Sequence, residues 1–344
     1  MSKKIGLIIQ YIIFLGLGFF LIWWQFNKMT AAEFEEFKFS LSTADYRVVI
    51  PIVFLALASH LSRAMRWIIM IEPMGYKPSL FNAFNVTMAG YLANTFLPRA
   101  GEILKCTLLG KYEKIPAQKL IGTVVAERIF DLFCYLVFIV FTFLIQYKLV
   151  GNFINDTTLK IINSNTGQPL WVKALVIISI IAVSVLILVF GFKKFASGKI
   201  TLQIKHFFHG LKEGLTTILK LQKKGWFLFH TVFIWGMYLL EIYIGFSAIS
   251  ALSHLGFNAA CIVLTLASLA NIITPGGIGT FPTAIFLVLS LYNINQTTGE
   301  AFGWLMWGVS TFIILFFGLV CLALLYFSNR KKQREDVLQE SIHG

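Results

Sequence analysis

Two stretches of the sequence share one pattern, LANTFLPRAGE at Leu92–Glu102 and LANIITPGGIG at Leu269–Gly279. Each begins with Leu-Ala-Asn, and each has a proline four residues after its asparagine; Asn271 follows Asn94 by 177 residues. Proline ends or kinks a helix, and glycine allows the tight turn that must follow. The pattern therefore predicts two helix–turn–helix hairpins within apolar surroundings. The turns are predicted at Pro98 and Gly101 in the first motif and at Pro275 and Gly279 in the second.

The composition places both motifs in a membrane protein. Of 344 residues, 57% are hydrophobic and 13% are charged, and the mean hydropathy is +0.77. Soluble globular chains have about 45–50% apolar and about 25% charged residues. We expect an all-α polytopic protein with one integral membrane domain over residues 1–330. Its halves are predicted at about 1–150 and 168–330, with a cytoplasmic tail at 331–344.

Six apolar runs are long enough to cross a bilayer, which requires about 20 residues. Lysine and arginine concentrate at the N-terminus, at 99–119, at 193–224 and in the tail. By the positive-inside rule these segments are cytoplasmic, so the sequence predicts a cytoplasmic (inner) membrane protein with both termini inside. The loops at 27–45 and 148–169 are then external. The predicted spans are Ile5–Phe26, Tyr46–Ile71, Leu120–Tyr147, Leu170–Phe192, Trp226–Leu252 and Ala301–Phe327.

The arms of the two hairpins are shorter than these spans. The second motif joins two arms of about 15 residues, which rise about 22 Å against a hydrocarbon core of about 30 Å. We therefore predict two re-entrant hairpins; two short tilted spans at the second motif, giving eight spans in all, are the alternative. The order span, span, hairpin, span then occurs twice with opposite orientation. Such inverted repeats are typical of transporters, which bind substrate near the bilayer midplane at broken helices.

Several charged residues lie inside the predicted spans. Each costs at least about 2.5–3.5 kcal/mol in a bilayer and should therefore be paired and face the protein interior. One interpretation is a set of structural salt bridges, Arg128 with Asp131 and either Arg63 or Arg66 with Glu241. The other is a phosphate site, because a guanidinium group binds phosphate through two hydrogen bonds. Arg63, Arg66, Arg99 and Lys105 carry more positive charge than the nearby carboxylates neutralise.

The hairpin turns add backbone groups to this phosphate hypothesis. Asparagine at a helix end would cap unpaired backbone groups, and free amides at a helix N-terminus attract anions. The alternative is that both turns are purely structural. The predicted substrate-binding residues are Arg63, Arg66, Asn94, Arg99, Glu102, Arg128, Asn271, Gly276 and Gly277, and the predicted supporting or proton-coupling residues are Glu127, Asp131 and Glu241.

Other classes of function have little support in the sequence. The cysteines and histidines do not have metal-ligand spacing, and we find no nucleotide-binding glycine loop or serine-nucleophile motif. We expect no metal and no cofactor. The net charge of +13 follows from the cytoplasmic lysines, so we expect partners among anionic membrane lipids rather than nucleic acids.

The stretch from Asn94 to Leu132 resembles the signature of the lysylphosphatidylglycerol synthase transmembrane-region family, a group of flippase-like integral membrane proteins. The matching positions are Asn94, Leu97, Pro98, Arg99, Gly101, Glu102, Glu127, Arg128 and Asp131. The later TPGGIG resembles the second motif of the family, with Pro275, Gly276, Gly277 and Gly279. Two positions matter for the site. Where the family often has arginine or lysine, this chain has Lys105, a point charge rather than a planar fork. Where the family often has glutamate, it has Pro282.

The resemblance implies translocation of a lipid. A soluble aminoacyl-transferase domain, which some members carry, is absent from the sequence, so we expect no lysyl transfer and no enzymatic activity. The leading hypothesis is a flippase-like transporter of an anionic or phosphate-bearing lipid. The alternatives are a non-transporting lipid-binding accessory protein and, less favoured, an enzyme that modifies lipid headgroups. A homo-oligomer or a partnership with a lipid-modifying enzyme is compatible with the first two.

Overall fold

The computed structural model of the chain describes residues 3–97, 100–146 and 221–343, with only the backbone for 3–15, 273, 275 and 331–343. Within these ranges the protein is all-helical and no strand occurs. The ten α-helices are α1 (Lys3–Lys28), α2 (Ala31–Ser42), α3 (Val49–Ile71), α4 (Leu80–Phe96), α5 (Ala100–Glu113), α6 (Ala117–Ile145), α7 (Lys224–Gly245), α8 (Phe257–Ile273), α9 (Thr280–Ser290) and α10 (Gln296–His343).

In the part of the chain that the structure describes, four helical segments are long and apolar enough to cross a membrane: Tyr46–Met74, Ala117–Ile145, Lys224–Ala248 and Gln296–Arg330. They contain α3, α6, α7 and most of α10, and they coincide with four of the predicted spans. The first predicted span lies within the 26-residue helix α1. The predicted span Leu170–Phe192 lies outside the described residues. The protein is therefore a polytopic α-helical membrane protein.

Two helix ends differ from the prediction. α7 ends at Gly245, before the predicted Leu252, and two short 3₁₀ turns follow. The carbonyl of Ala248 in the first of these turns accepts a hydrogen bond from the Asp45 amide at 2.8 Å, so a partner outside the helix satisfies it. At the other end of the chain, α10 continues through the predicted tail to His343.

The chain forms two compact units, one of residues 1–128 with 218–344 and one of residues 129–217. In the first unit, α3 packs along α7, α4 packs against α5 and α10, and α9 packs against α8 and α10. One core of this unit joins side chains of α3, α4, α5, the start of α6 and α10, including Trp67, Val86, Leu109, Leu120 and Leu325. Of the second unit, the structure describes the remainder of α6 and the residue after it.

Both predicted hairpins are pairs of short helices. α4 begins after Ser79, whose hydroxyl accepts a hydrogen bond from the Asn82 amide as an N-cap. α8 and α9 are joined by a 3₁₀ turn at Pro275–Gly277. Gly276, Gly277 and Gly279 all have positive φ, between 61° and 70°, which explains why the sequence has glycine there. The four arms have 11 to 17 residues, so each rises only about 16–26 Å.

Candidate functional site

The carboxylate of Glu127, on α6, is the centre of a buried cluster of charges. Arg66 contacts it at 3.0 Å, Lys105 at 3.3 Å and Arg63 at 3.7 Å. Arg66 and Glu127 are each 0% exposed, Lys105 is 4% exposed and Arg63 is 8% exposed. α3, α5 and α6 therefore bring three cations to one carboxylate. The structure thus brings together Arg63, Arg66 and Glu127, three of the predicted site residues, with Lys105.

Side chains of α7 also contact the two arginines. Arg63 donates a hydrogen bond to the Tyr238 hydroxyl at 3.1 Å. Arg66 donates to the Thr231 hydroxyl at 3.2 Å, and its guanidinium lies 5.5 Å from the centre of the Phe227 ring. Tyr238 and Thr231 are seven residues apart and thus share one face of α7. Sequence analysis did not predict either residue, because this face of α7 meets the arginines only when α7 packs against α3.

Lys105 is oriented by an aromatic ring as well as by Glu127. Its ammonium lies 4.2 Å from the centre of the Trp67 ring, a distance at which the ring face attracts a cation. The indole N–H of Trp67 donates to the Thr123 hydroxyl at 2.9 Å and so fixes the ring. Sequence analysis did not predict Trp67. It lies directly after Arg66, and a buried tryptophan with its N–H bonded is a common anchor.

A second ion pair lies next to this cluster along α5 and α6. Arg128 contacts Glu102 at 3.4 Å, and both side chains are partly exposed. The Glu127 cluster and the Arg128–Glu102 pair together contain four cations and two carboxylates. Asp131, one turn after Glu127 on α6, belongs to the second unit. Among the described residues, Oε1 of Glu241 accepts no hydrogen bond. Arg63 and Arg66 both contact Glu127, whereas one sequence interpretation paired either of them with Glu241.

The predicted hairpin asparagines lie across their turns. Asn94 accepts a hydrogen bond from the Gly101 amide at 2.8 Å. The side-chain oxygen of Asn271 lies so close to Gly277 that a Cβ on that glycine would overlap it. Asn94 therefore packs onto a glycine of the opposite arm, and Asn271 packs onto a glycine of the turn itself. Pro98 and Arg99 are outside the described residues.

The two hairpin tips belong to one neighbourhood of the first unit. A Cβ built on Gly276 would lie 3.9 Å from the methyl group of Thr95, near the end of α4. The carbonyl of Gly276 accepts a hydrogen bond from the Trp307 indole at 2.9 Å. Gly279 packs against the backbone of Gly18 on α1. Residues of α1, α4 and α10 therefore surround the second turn.

Metal chemistry has no support in this part of the chain. Among residues 3–97, 100–146 and 221–343, no three histidine, cysteine, aspartate or glutamate side chains are grouped so that they could hold a metal ion. The three cations around Glu127 are hydrogen-bond donors only, since guanidinium and ammonium groups accept no hydrogen bond.

Comparison with known proteins agrees with this picture of a helical membrane domain. The model of the family described as "Lysylphosphatidylglycerol synthase TM region" matches residues 7–318. The chain belongs to this family. It is also 27% identical over 278 residues to a UPF0104 membrane protein of Methanocaldococcus jannaschii. The alignment covers 77% of this chain and 80% of the relative. No solved structure matches the chain. Its family membership agrees with the resemblance noted in the sequence.

Proposed function

We propose that this protein is a flippase-like transporter that moves an anionic or phosphate-bearing lipid across the cytoplasmic membrane. One observation carries the proposal: Arg63, Arg66 and Lys105 reach one buried carboxylate, Glu127, inside a membrane domain. Guanidinium and ammonium groups are the side chains that bind phosphate, and the cluster brings two arginines and one lysine together around a single carboxylate.

We infer that the two hairpins are re-entrant and form the core of an inverted repeat. The short arms, the breaks at equivalent positions and the contact of Gly276 with Thr95 support this inference. Broken backbone at membrane depth is tolerated where it is buried in protein or lines a wet cavity. In this arrangement the tips lie beside the path of the headgroup, and Arg63 contacts it first because Arg66 is fully enclosed.

A second candidate function is lipid binding without transport. The complete burial of Arg66 and Glu127 favours it, because a closed cluster stabilises one conformation of the protein. In both cases we propose that the chain is not an enzyme and leaves the headgroup chemically unchanged. Mass spectrometry of lipids recovered after incubation with the purified protein tests this directly: a new headgroup mass would contradict the proposal.

Transport is tested with the purified protein in liposomes that contain fluorescent NBD-labelled phosphatidylglycerol. Dithionite added outside destroys only the outer label, so a flippase or scramblase lets the signal fall further than in empty liposomes. Arg63→Gln should slow this fall at least about tenfold, since loss of a charged hydrogen-bond donor costs about 1.5–3 kcal/mol.

The matched control is Arg47→Gln, which removes an exposed arginine from the segment before α3 and should leave the rate unchanged. If the wild-type protein does not accelerate the loss of signal but still co-purifies with phosphatidylglycerol, the lipid-binding candidate replaces the transporter. If Arg63→Gln and the wild type transported the lipid at equal rates, transport would not depend on Arg63 or its charge cluster.

A further inference from the structure

A groove of about 310 Å³ opens on the first unit where α3 ends and α7 begins. Its walls are mainly apolar, with Met65, Ile68 and Leu80 among the lining side chains. The candidate spans that contain α3 and α7 end at Met74 and begin at Lys224. The groove therefore lies where both candidate spans end.

The rim of the groove has side chains that are common in membrane proteins at the level of the lipid headgroups. Lys223 forms an ion pair with Glu72 at 2.8 Å, and both line the groove. Trp226 also lines it and is 61% exposed. Tryptophan is enriched at the level of lipid headgroups, and lysine near a membrane surface attracts anionic lipids.

The inner end of the groove approaches the charge cluster. His230 is a lining residue, and its Nδ1 is in hydrogen-bond contact with the Ser62 hydroxyl at 2.8 Å. Ser62 directly precedes Arg63, and the residue after His230, Thr231, accepts a hydrogen bond from Arg66. From Lys223 to Thr231 the axis of α7 advances about 12 Å. The Ser62–His230 contact thus lies between the groove and the arginines.

We propose that this groove is a binding site for a phospholipid with an anionic headgroup, which enters the protein from the adjoining leaflet. Lys223 binds the headgroup phosphate in place of Glu72, Trp226 packs against the glycerol region, and the apolar wall holds the upper acyl chain. The site's role as the entrance for transport rests on the proposed function; the binding itself does not.

The occupant follows from the chemistry of the groove. A lipid in a leaflet has a charged phosphate above apolar chains, and the groove has a lysine at its rim above an apolar wall. A second lysine, Lys224, is exposed next to Lys223 and adds to the positive potential at the same level. A zwitterionic lipid would gain the apolar contacts but less of the electrostatic attraction.

The test uses lipids with brominated acyl chains, which quench nearby tryptophan fluorescence. The full-length protein is reconstituted in phosphatidylcholine membranes that contain increasing fractions of brominated phosphatidylglycerol or brominated phosphatidylcholine. Because the chain has eight tryptophans, the signal of Trp226 is obtained as the difference between the protein and its Trp226→Phe variant. Brominated phosphatidylglycerol should reach half-quenching at an about fivefold lower fraction, the value for about 1 kcal/mol from one lysine.

Trp23 is the matched control for Trp226. It is 60% exposed, and the ammonium of Lys28 lies 4.3 Å from the ring of its neighbour Trp24. Trp23 does not line the groove. Its signal, obtained from Trp23→Phe, should show no more than about a twofold preference between the two lipids. Equal preferences at Trp23 and Trp226 would overturn the site.

Two substitutions separate headgroup binding from a structural ion pair. Lys223→Gln and Glu72→Gln both break the 2.8 Å contact, so a purely structural role predicts the same change for both. If Lys223 serves the headgroup, Lys223→Gln abolishes the preference and Glu72→Gln strengthens it. Changes in the same direction would overturn the assignment. Lys28→Gln should leave the Trp226 signal unchanged.

The same measurement distinguishes the groove from the transport proposal. If Trp226 shows the preference but the protein does not move NBD-labelled phosphatidylglycerol, the result supports the binding site and contradicts the transporter. Transport without any preference at Trp226 keeps the transporter and contradicts the groove.

Discussion

Gly101 lies against the backbone carbonyl of Gly90, so closely that a Cβ built on Gly101 would overlap that oxygen. The contact brings α4 and α5, the arms of the first hairpin, together at the level of the Asn94–Gly101 hydrogen bond. Glycine is needed here for space rather than for backbone freedom, because its position is inside a helix. The family motif at this position therefore has a packing explanation.

Gly101→Ala should separate the two arms and destabilise the protein by at least about 3 kcal/mol, since the backbone it meets yields less than a side chain. Thermal unfolding of the purified protein in detergent measures the change. The control is Gly122→Ala on α6, where a Cβ would meet no atom within 4 Å; it should stabilise by about 0.5–1 kcal/mol through helix propensity. Equal melting temperatures for the two variants would contradict the close contact.

Arg63 and Arg66 should respond differently to the same substitution. Arg66→Gln removes the 3.0 Å partner of a fully buried carboxylate and should cost about 3–5 kcal/mol of stability. Arg63 contacts Glu127 at 3.7 Å and is slightly exposed, so Arg63→Gln should cost only about 1–2 kcal/mol while transport is lost. Melting temperature and liposome transport are measured on both. A larger loss of stability in Arg63→Gln would assign Arg63 to the structural pair.

The stability of helix α2 should fall at acidic pH. The amide and hydroxyl of Thr30 donate hydrogen bonds to Glu33 at 2.7 and 2.9 Å and hold the pKa of Glu33 below its ordinary value near 4.5. A lowered pKa stabilises the folded form above the unfolded pKa, and this contribution disappears as the pH falls through the folded pKa.

Hydrogen exchange of the Ala31–Ser42 segment, corrected for intrinsic rates, tests this between about pH 6 and about pH 3. Protection should fall over this range in the wild type. Thr30→Ala, which removes one side of the capping box, should have lower protection at pH 6 and a smaller change with pH. An identical pH dependence in both proteins would exclude the capping interaction as its cause.

The orientation of the chain is tested by labelling single cysteines with a membrane-impermeant maleimide. In a variant without the four native cysteines, Glu35→Cys should react from outside in intact cells, because the segment before α3 is predicted to be external. The Glu35 side chain is 72% exposed. Gln333→Cys should react only after the cells are opened. The opposite result would invert the topology.

Sequence reasoning predicted the long helices well because each needs a long apolar run, and α3, α6 and α7 begin within about four residues of the predicted spans. It also predicted the two broken helix pairs, since proline and glycine act locally. It could not predict which carboxylate pairs with Arg66. The candidates Glu127 and Glu241 are both deep in spans, and only the packing of α3 against α5 and α6 brings Glu127 to the arginine.

The contacts of Tyr238 and Trp67 were beyond sequence reasoning for a similar reason. Tyr238 is 175 residues from Arg63, and neither its type nor its spacing distinguishes it from the other aromatic residues of an apolar helix. Trp67 is adjacent to Arg66 but points to a lysine of α5. Both roles depend on helix pairing, which periodicity does not encode when a helix is apolar on every side.

The Arg66–Glu127 pair also has a consequence for the order of events during synthesis. The two residues are 61 positions apart, which is roughly 3–12 s of translation at about 5–20 residues per second. During that interval α3 has emerged with two arginines and without the carboxylate of Glu127 that they contact. A helix with such charges is retained poorly by lipid alone, so α3 should remain beside the insertion machinery until α6 follows it. Once Arg66 has paired with Glu127, the first half of the protein would leave the insertion machinery and enter the bilayer as one unit.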